Sequence, residues 1–219
     1  MSIKENLPQI KSTIPDNVTL VAVSKTKPVS DLMDAYNAGQ RVFGENKIQE
    51  MTEKWEVMPK DIQWHMIGHV QTNKVKYMAE YVSLIHGVDS LKLLQEINKQ
   101  AAKHNRVIDC LLQIYIAEEE SKFGLDEDEL DELLKQVQHE SLQNIRVIGL
   151  MGMATYTDNQ TQIKKEFQNL KYIFDKYKSL NTEHCQLNTI SMGMSGDYKL
   201  AIECGSTMVR IGSSIFGGR

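Results

Sequence analysis

The chain has 219 residues and a mass of 25.0 kDa, and its 41% hydrophobic and 25% charged residues are typical of a globular protein with one domain, 1–219. The formal net charge is −4 and the charges are interspersed, so no basic stripe is available to neutralise a nucleic-acid backbone. No apolar run approaches the roughly 20 residues that cross a bilayer, and the N-terminus has no apolar signal core. We therefore expect a cytoplasmic protein that binds neither nucleic acid nor membrane.

Apolar, β-branched runs alternate along the chain with longer amphipathic segments, which predicts strands followed by helices. After a short polar N-terminal helix, the predicted strands are 18–23, 41–46, 63–68, 81–88, 107–116, 145–153, 186–194 and 207–218. The predicted helices between them are 30–39, 46–58, 71–80, 91–103, 126–138, 160–178 and 197–205. Ser30 is the expected N-cap of the first of these, and Gly39 its expected end.

About eight strand–helix units in this length predict an α/β fold, a single (β/α)8 TIM barrel. A doubly wound open sheet is the alternative architecture. Its nucleotide-binding form carries G-x-G-x-x-G after the first strand, whereas this chain has SKTKP at 24–28. The barrel is therefore preferred.

In such a barrel the carboxyl ends of all strands open on one face, so residues that directly follow the strands converge on one site. The residues selected in this way are Lys25, Asn46, Met151, Met153, Ser191, Gly193, Arg210 and Gly212. Serine and glycine after the last two strands are suited to a phosphate group. Taken singly, they are more often turn residues.

Lys25 is the candidate nucleophile, because an amine beside a second cation, Lys27, can have its pKa lowered enough to form a Schiff base with a carbonyl. Two lysines in a loop more commonly serve only to solvate it. Arg210 lies between Val209 and Ile211, and an arginine in an apolar run requires a buried partner.

Other candidates carry less weight. His65 and His69 are four apart, but the second position is Met66 rather than Glu and the segment reads as a strand, so no zinc site is expected. The three cysteines have no C-x-x-C spacing and are interpreted as reduced core thiols: Cys110, Cys185 and Cys204.

Several segments, in their order and spacing, resemble those of the pyridoxal phosphate homeostasis proteins, a family similar to the N-terminal barrel of alanine racemases. They are AVSKTKP, FGENKIQE, WHMIGHVQTNK, MGMAT, SMGMSGD and VRIGSSIFG. The resemblance implies pyridoxal 5′-phosphate (PLP) bound covalently to Lys25, with Arg210 facing the pyridine nitrogen. It further implies phosphate contacts from Ser191, Gly193, Gly212 and Ser213, and a ring flanked by Asn46 and Met153.

The resemblance also implies a role in intracellular vitamin B6 homeostasis and delivery without catalytic turnover. An arginine at the ring nitrogen keeps that nitrogen unprotonated and weakens the cofactor as an electron sink. We expect a monomer whose recipients are PLP-dependent apo-enzymes.

The sequence is also compatible with two alternative functions. A small PLP-dependent amino-acid racemase would use Lys25 as one base and Tyr156 or His69 as the other. An isomerase of a phosphorylated metabolite would need a carboxylate at a strand end, for which Glu45 is the obvious candidate.

Overall fold

Parallel strands close into a barrel in the computed structural model, which describes residues 2–118, 123–182 and 184–218. Among these residues the strands are β1 (Thr19–Val23), β2 (Val42–Glu45), β3 (Gln63–Met66), β4 (Val82–Val88), β5 (Ile108–Gln113), β6 (Ile145–Met151), β7 (Asn181–Thr182), β8 (Cys185–Met194) and β9 (Met208–Ile211). The helices are α1 (Ile3–Ser12), α2 (Val29–Asn37), α3 (Ile48–Val57), α4 (Leu91–Lys103), α5 (Glu127–His139), α6 (Gln160–Tyr177), α7 (Tyr198–Glu203) and α8 (Ser213–Phe216), together with a 3-10 helix, Thr72–Tyr77.

The strand order confirms the predicted (β/α)8 barrel. Neighbouring strands run β6-β5-β4-β3-β2-β1-β9-β8, and a parallel pairing between β6 and β8 closes the ring. This closure excludes the doubly wound open sheet. Strand β7, which was not predicted, is a two-residue antiparallel addition to the start of β8.

The helices form where the sequence supplies both a cap and an apolar face. Helix α5 begins with a capping box, in which Asp126 accepts a hydrogen bond from Glu129 N and the Glu129 side chain accepts one from Asp126 N. Helix α4 buries Leu93, Leu94 and Ile97 at helical spacing against the sheet. These faces cover the outside of the barrel with apolar side chains.

Two local predictions are wrong. Ser30 does not cap α2, because the helix begins one residue earlier and Pro28, with its ring-restricted φ of −70°, occupies the N-cap. Segment 71–80 is not an α-helix but contains a 3-10 helix. Within it Val75 is completely buried, as is Met78, which follows the last residue of the 3-10 helix.

The barrel interior has its own apolar layer, separate from the larger core between strands and helices. Five strands each contribute one buried side chain to it: Val21, Leu84, Leu111, Met151 and Met208. Because side chains alternate along a strand, residues two positions further along β1, β4 and β9 face the same interior, nearer the carboxyl ends. The interior layer therefore forms the floor beneath any site at that end.

The three cysteines have free thiols, and Cys110 and Cys185 are buried as expected. Burial raises the pKa of the Cys185 thiol to about 11, so this group is unreactive at neutral pH. Cys204 is only half-buried, which corrects its assignment to the core. Of the helices in the described ranges, none has the length and apolarity needed to cross a membrane.

Candidate functional site

The carboxyl ends of the barrel strands surround an open cavity of about 890 Å³. Its walls come from the segments that directly follow the strands, as the fold dictates. Six of the eight residues that the family resemblance implies for the site line this cavity: Lys25, Asn46, Met153, Arg210, Gly212 and Ser213. Residues remote in sequence are thus brought to one place by strand closure.

Lys25 follows β1 and projects a half-buried side chain into the cavity wall. Among the described residues its amine makes no hydrogen bond or ion pair. The amine of Lys27, in contrast, is already hydrogen-bonded, because its Nζ donates to the carbonyl oxygens of Phe216 and Gly218, each at 3.1 Å. Lys25 therefore presents an amine available to a ligand, whereas Lys27 holds the C-terminal segment in place.

A buried ion cluster fixes the backbone on both sides of Lys25. Lys54 Nζ donates to Glu45 Oε1 and Glu50 Oε1, both at 2.7 Å, and to the Ser24 carbonyl at 2.8 Å. Ser24 Oγ donates to Glu45 Oε1, and the Thr26 backbone N–H donates to Glu50 Oε1, both at 2.6 Å. These contacts hold Thr26 at a φ of 65°, so the loop that carries Lys25 has one defined conformation.

Glu45 belongs to this cluster and does not line the cavity. It is completely buried, and burial raises the pKa of its carboxyl while the hydrogen bond and charge of Lys54 oppose that rise. A carboxylate ion-paired behind the cavity wall cannot reach a substrate proton. This placement argues against Glu45 as the base of an isomerase.

Arg210, on β9, is 4% exposed and lies at the base of the cavity. Its Nη1 donates to Ser191 Oγ at 2.6 Å and to the Ser191 carbonyl at 2.9 Å, and its Nη2 donates to the Gly152 carbonyl at 3.0 Å. Burial lowers the pKa of the guanidinium to about 10, so it remains charged at neutral pH. The predicted buried partner of Arg210 is therefore a set of neutral acceptors.

Ser191 and Gly193, both predicted to contact a phosphate, do not line the cavity. Ser191 is completely buried, and its hydroxyl is engaged by Arg210 and by His86 Nδ1, the latter at 3.0 Å. Gly193 has a φ of +97°, and a Cβ there would lie 2.6 Å from Ala201 Cβ, so this residue faces α7. Both residues thus support the cavity from outside its surface.

Ser195 and Gly196 line the cavity instead, although sequence reasoning did not select them. Ser195 Oγ accepts a hydrogen bond from Gly212 N at 3.2 Å, which joins the ends of β8 and β9. Both residues lie within the segment SMGMSGD, so the motif was identified but its contacting positions were placed too early. Strand β8 continues to Met194, and only the residues beyond it reach the opening.

His65 and His86 lie inside the barrel beneath the cavity, joined by a contact of 3.0 Å between His65 Nδ1 and His86 Nε2. Burial lowers the pKa of His65 to about 3 and that of His86 well below its usual value, the latter also through the nearby charge of Arg210. His65 thus contacts His86 rather than forming a ligand pair with His69. In the described part of the chain, no group of three His, Cys, Asp or Glu side chains converges as metal ligands.

The mouth of the cavity is aromatic. His69 stacks on Phe123 with ring centroids 5.3 Å apart, and Tyr156 is 93% exposed on the same rim. His69 Nδ1 lies 3.9 Å from Asp89 Oδ2, and the histidine side chain is 51% exposed. The two candidate second bases are therefore at the solvent-facing edge rather than in the depth of the cavity.

Residues 1–219 match the family described as "Alanine racemase, N-terminal domain". A pyridoxal phosphate homeostasis protein of Pasteurella multocida is 39% identical over 232 residues, which cover 100% of this chain and 98% of that protein. A pyridoxal phosphate homeostasis protein of Schizosaccharomyces pombe is 43% identical over 206 residues, which cover 93% of this chain and 85% of that protein.

Solved structures show the same likeness. The structure of PipY of Synechococcus elongatus PCC7942 with PLP bound has a TM-score of 0.89 at 32% identity and covers 99% of this chain and 100% of that one. An alanine racemase of Clostridium difficile 630 has a TM-score of 0.80 at 15% identity, and the match covers 100% of this chain and 56% of the racemase chain. This second match is a likeness of fold.

The lowered pKa values of His65 and His86 predict a protein that is destabilised by mild acid. In the window below pH 6.5 the unfolded chain protonates these histidines, whereas in the folded chain the pKa of His65 is about 3 and that of His86 is well below its usual value, so the free energy of unfolding falls as pH decreases. Each histidine contributes a slope of about 1.4 kcal/mol per pH unit within that window.

The measurement is urea unfolding at pH 7, 6 and 5. His86→Asn should reduce the slope, whereas His104→Gln, at an exposed position, should leave it unchanged. An identical slope in wild type and His86→Asn would contradict the prediction.

Proposed function

This chain belongs to the family of pyridoxal phosphate homeostasis proteins, and from that premise we propose that it binds PLP as a Schiff base on Lys25 and serves to store and deliver the cofactor. The observation that carries the proposal is the unpaired amine of Lys25 in a cavity that also holds Arg210 and a group of serine and glycine residues. PLP supplies an aldehyde that condenses with a primary amine and releases water.

Lys25 fits the role of the attachment point for two reasons. The ion cluster around Lys54 fixes the position of its backbone, and no described residue competes for its amine. Partial burial of the Lys25 side chain in the cavity wall limits the positions that its amine can reach. The chain thus holds a nucleophilic nitrogen at a defined place above the barrel interior.

The phosphate is assigned to the ends of β8 and β9, where Ser195, Gly196, Gly212 and Ser213 line the cavity. Backbone N–H groups at the start of α8 and in the loop after β8 are donors suited to an anion. The absence of a side chain at Gly212 matters, because a Cβ there would lie 3.0 Å from the Val23 carbonyl. A side chain at this position would therefore push the end of β9 and the end of β1 apart by a few tenths of an ångström.

Arg210 is assigned to the ring nitrogen, with Asn46 and Met153 beside the ring. A permanently charged N–H donor favours an unprotonated nitrogen, which withdraws electrons from the reacting carbon poorly. Racemisation also needs two positioned acid–base groups, and His69 and Tyr156 lie at an exposed rim. The site is therefore better suited to holding the cofactor than to reacting it.

The proposed role is that of a cytoplasmic reservoir. The whole chain, 1–219, acts as one monomeric cofactor-binding domain that keeps a reactive aldehyde at low free concentration. Recipients are apo-enzymes that require the cofactor, and an open cavity leaves the attachment point accessible for release.

Replacing Lys25 by alanine is expected to abolish the covalent adduct while the barrel stays folded. The half-exposed side chain adds little packing, so the free energy of unfolding should change by no more than about 0.5 kcal/mol. The measurement is borohydride reduction of the loaded protein, followed by mass mapping of the modified lysine. Lys27→Met, at the other lysine of the cavity, is the control and should retain the adduct; a reduced cofactor mapped to another lysine in Lys25→Ala rules out the assignment.

Substitutions in the phosphate region are expected to weaken binding by different amounts. Ser195→Ala removes one hydroxyl donor to a charged group, which costs roughly 1.5–3 kcal/mol, or about 10- to 100-fold in affinity. Gly212→Asp adds bulk and like-charge repulsion and should weaken binding further. Ser214→Ala, outside the cavity wall, is the matched control in an equilibrium titration with PLP. If both test variants bind PLP with the affinity of the parent protein, the phosphate does not bind at the ends of β8 and β9.

The proposal also predicts the absence of turnover. The purified, loaded protein should exchange the α-proton of L-alanine in deuterated water no faster than free PLP at equal concentration. The measurement is NMR, with Lys25→Ala as the control. Exchange that depends on Lys25 and proceeds at an ordinary enzymatic rate would replace the storage role by that of a racemase.

A further inference from the structure

A line of four buried polar side chains crosses the barrel interior beneath the cavity. It runs from His65 on β3 to His86 on β4, Ser191 on β8 and Arg210 on β9, with successive contacts of 3.0, 3.0 and 2.6 Å. None of the four is more than 4% exposed. Apolar side chains fill the layer below, so packing alone does not account for four polar residues here.

The direction of the hydrogen bonds in this line follows from the chemistry of arginine. Arg210 can only donate, so Ser191 Oγ accepts from it. The single hydroxyl hydrogen of Ser191 is then left for His86 Nδ1, which must accept and therefore carries its proton on Nε2. That proton is donated to His65 Nδ1. In this arrangement each of the three contacts pairs one donor with one acceptor.

The opposite tautomer of His86 is less favourable. With its proton on Nδ1, this histidine would donate to Ser191 Oγ, which already accepts from Arg210. The Ser191 hydroxyl hydrogen would then be buried without an acceptor, a costly arrangement. The charge of Arg210 also opposes the doubly protonated form of His86, so this residue stays neutral.

The arrangement determines which part of Arg210 faces the cavity. Of the five N–H groups of a guanidinium, three are used: two on Nη1 by Ser191 and one on Nη2 by the Gly152 carbonyl. Among the described residues the N–H on Nε and the second on Nη2 have no acceptor. Two donors on a charged group are thus directed away from the interior line.

We propose that His65, His86 and Ser191 are positioning residues that hold Arg210 with two N–H donors facing the cavity and so keep the ring nitrogen of bound cofactor unprotonated. The inference rests on the proposed function for its ligand but not for the direction of the line, which follows from the residues of this chain alone. Weakening the line should let the guanidinium turn, so that the ring nitrogen protonates more readily.

The first measurement uses the cofactor-free protein. Nitrogen-15 NMR of the histidine side chains should show His65 and His86 neutral, with the proton on Nε2 in both, from pH 7 to pH 5. A protonated His86, or one with its proton on Nδ1, overturns the proposal whether or not PLP binds.

The second measurement uses protein loaded with PLP labelled with nitrogen-15 in the ring. Wild type should show an unprotonated ring nitrogen. Ser191→Ala and His86→Leu should raise the pKa of that nitrogen, increasing its protonated fraction at a given pH by about tenfold. His86→Asn should restore the wild-type signal, because its carboxamide oxygen can accept from Ser191 in place of Nδ1.

Ser206→Ala is the matched control, because the Ser206 hydroxyl is equally buried between β8 and β9, where it donates to the Met192 carbonyl, and makes no contact with Arg210. It should leave the ring signal unchanged. If His86→Leu does not fold, Ser191→Ala decides, since it removes a single oxygen. A wild-type ring signal in Ser191→Ala, with the reducible adduct on Lys25 intact, refutes the positioning role and leaves the proposed function standing.

Discussion

A buried arginine cannot give up its charge at neutral pH, and the inner end of this barrel is organised around that constraint. Arg210 is 4% exposed, and its hydrogen-bond partners in the described ranges are neutral: the Ser191 hydroxyl and the carbonyls of Ser191 and Gly152. The Ser191 hydroxyl is in turn oriented by His86, and His86 by His65. Side chains from three other strands are thereby connected to one guanidinium.

The second buried cation, Lys54, has charged partners, whereas the hydrogen-bond partners of Arg210 are neutral. Lys54 is ion-paired with Glu45 and Glu50, so its charge is neutralised behind the loop that carries Lys25. Removing one partner from such a buried pair leaves an uncompensated charge, which is strongly destabilising. The two buried cations therefore have different roles. Lys54 fixes the backbone of the attachment lysine, whereas the charge of Arg210 is directed to the cavity.

Sequence reasoning succeeded where a property is local or repeats along the chain. The alternation of strands and helices predicted the barrel, and the rule that strand ends converge selected Lys25, Asn46, Met153 and Arg210, which do line the cavity. It misplaced Ser191, because strand β8 extends three residues beyond that position and its side chain turns inward to Arg210. It expected no zinc site at His65 and assigned this residue no other role, since the contact of His65 with His86, 21 residues away, has no signal in spacing.

The fold class, the amine that follows the first strand and the arginine in the last strand could be predicted from the sequence, because strand periodicity and residue chemistry are properties of short segments. Which of the two lysine amines is free depends on contacts between segments that are distant along the chain. Lys25 and Lys27 lie two residues apart in one loop, and Lys27 binds the carbonyls of Phe216 and Gly218 at the far end of the chain. The tertiary structure also decided the partners of Arg210, since closure of the ring between β6 and β8 brings Gly152 and Ser191 to its two ends.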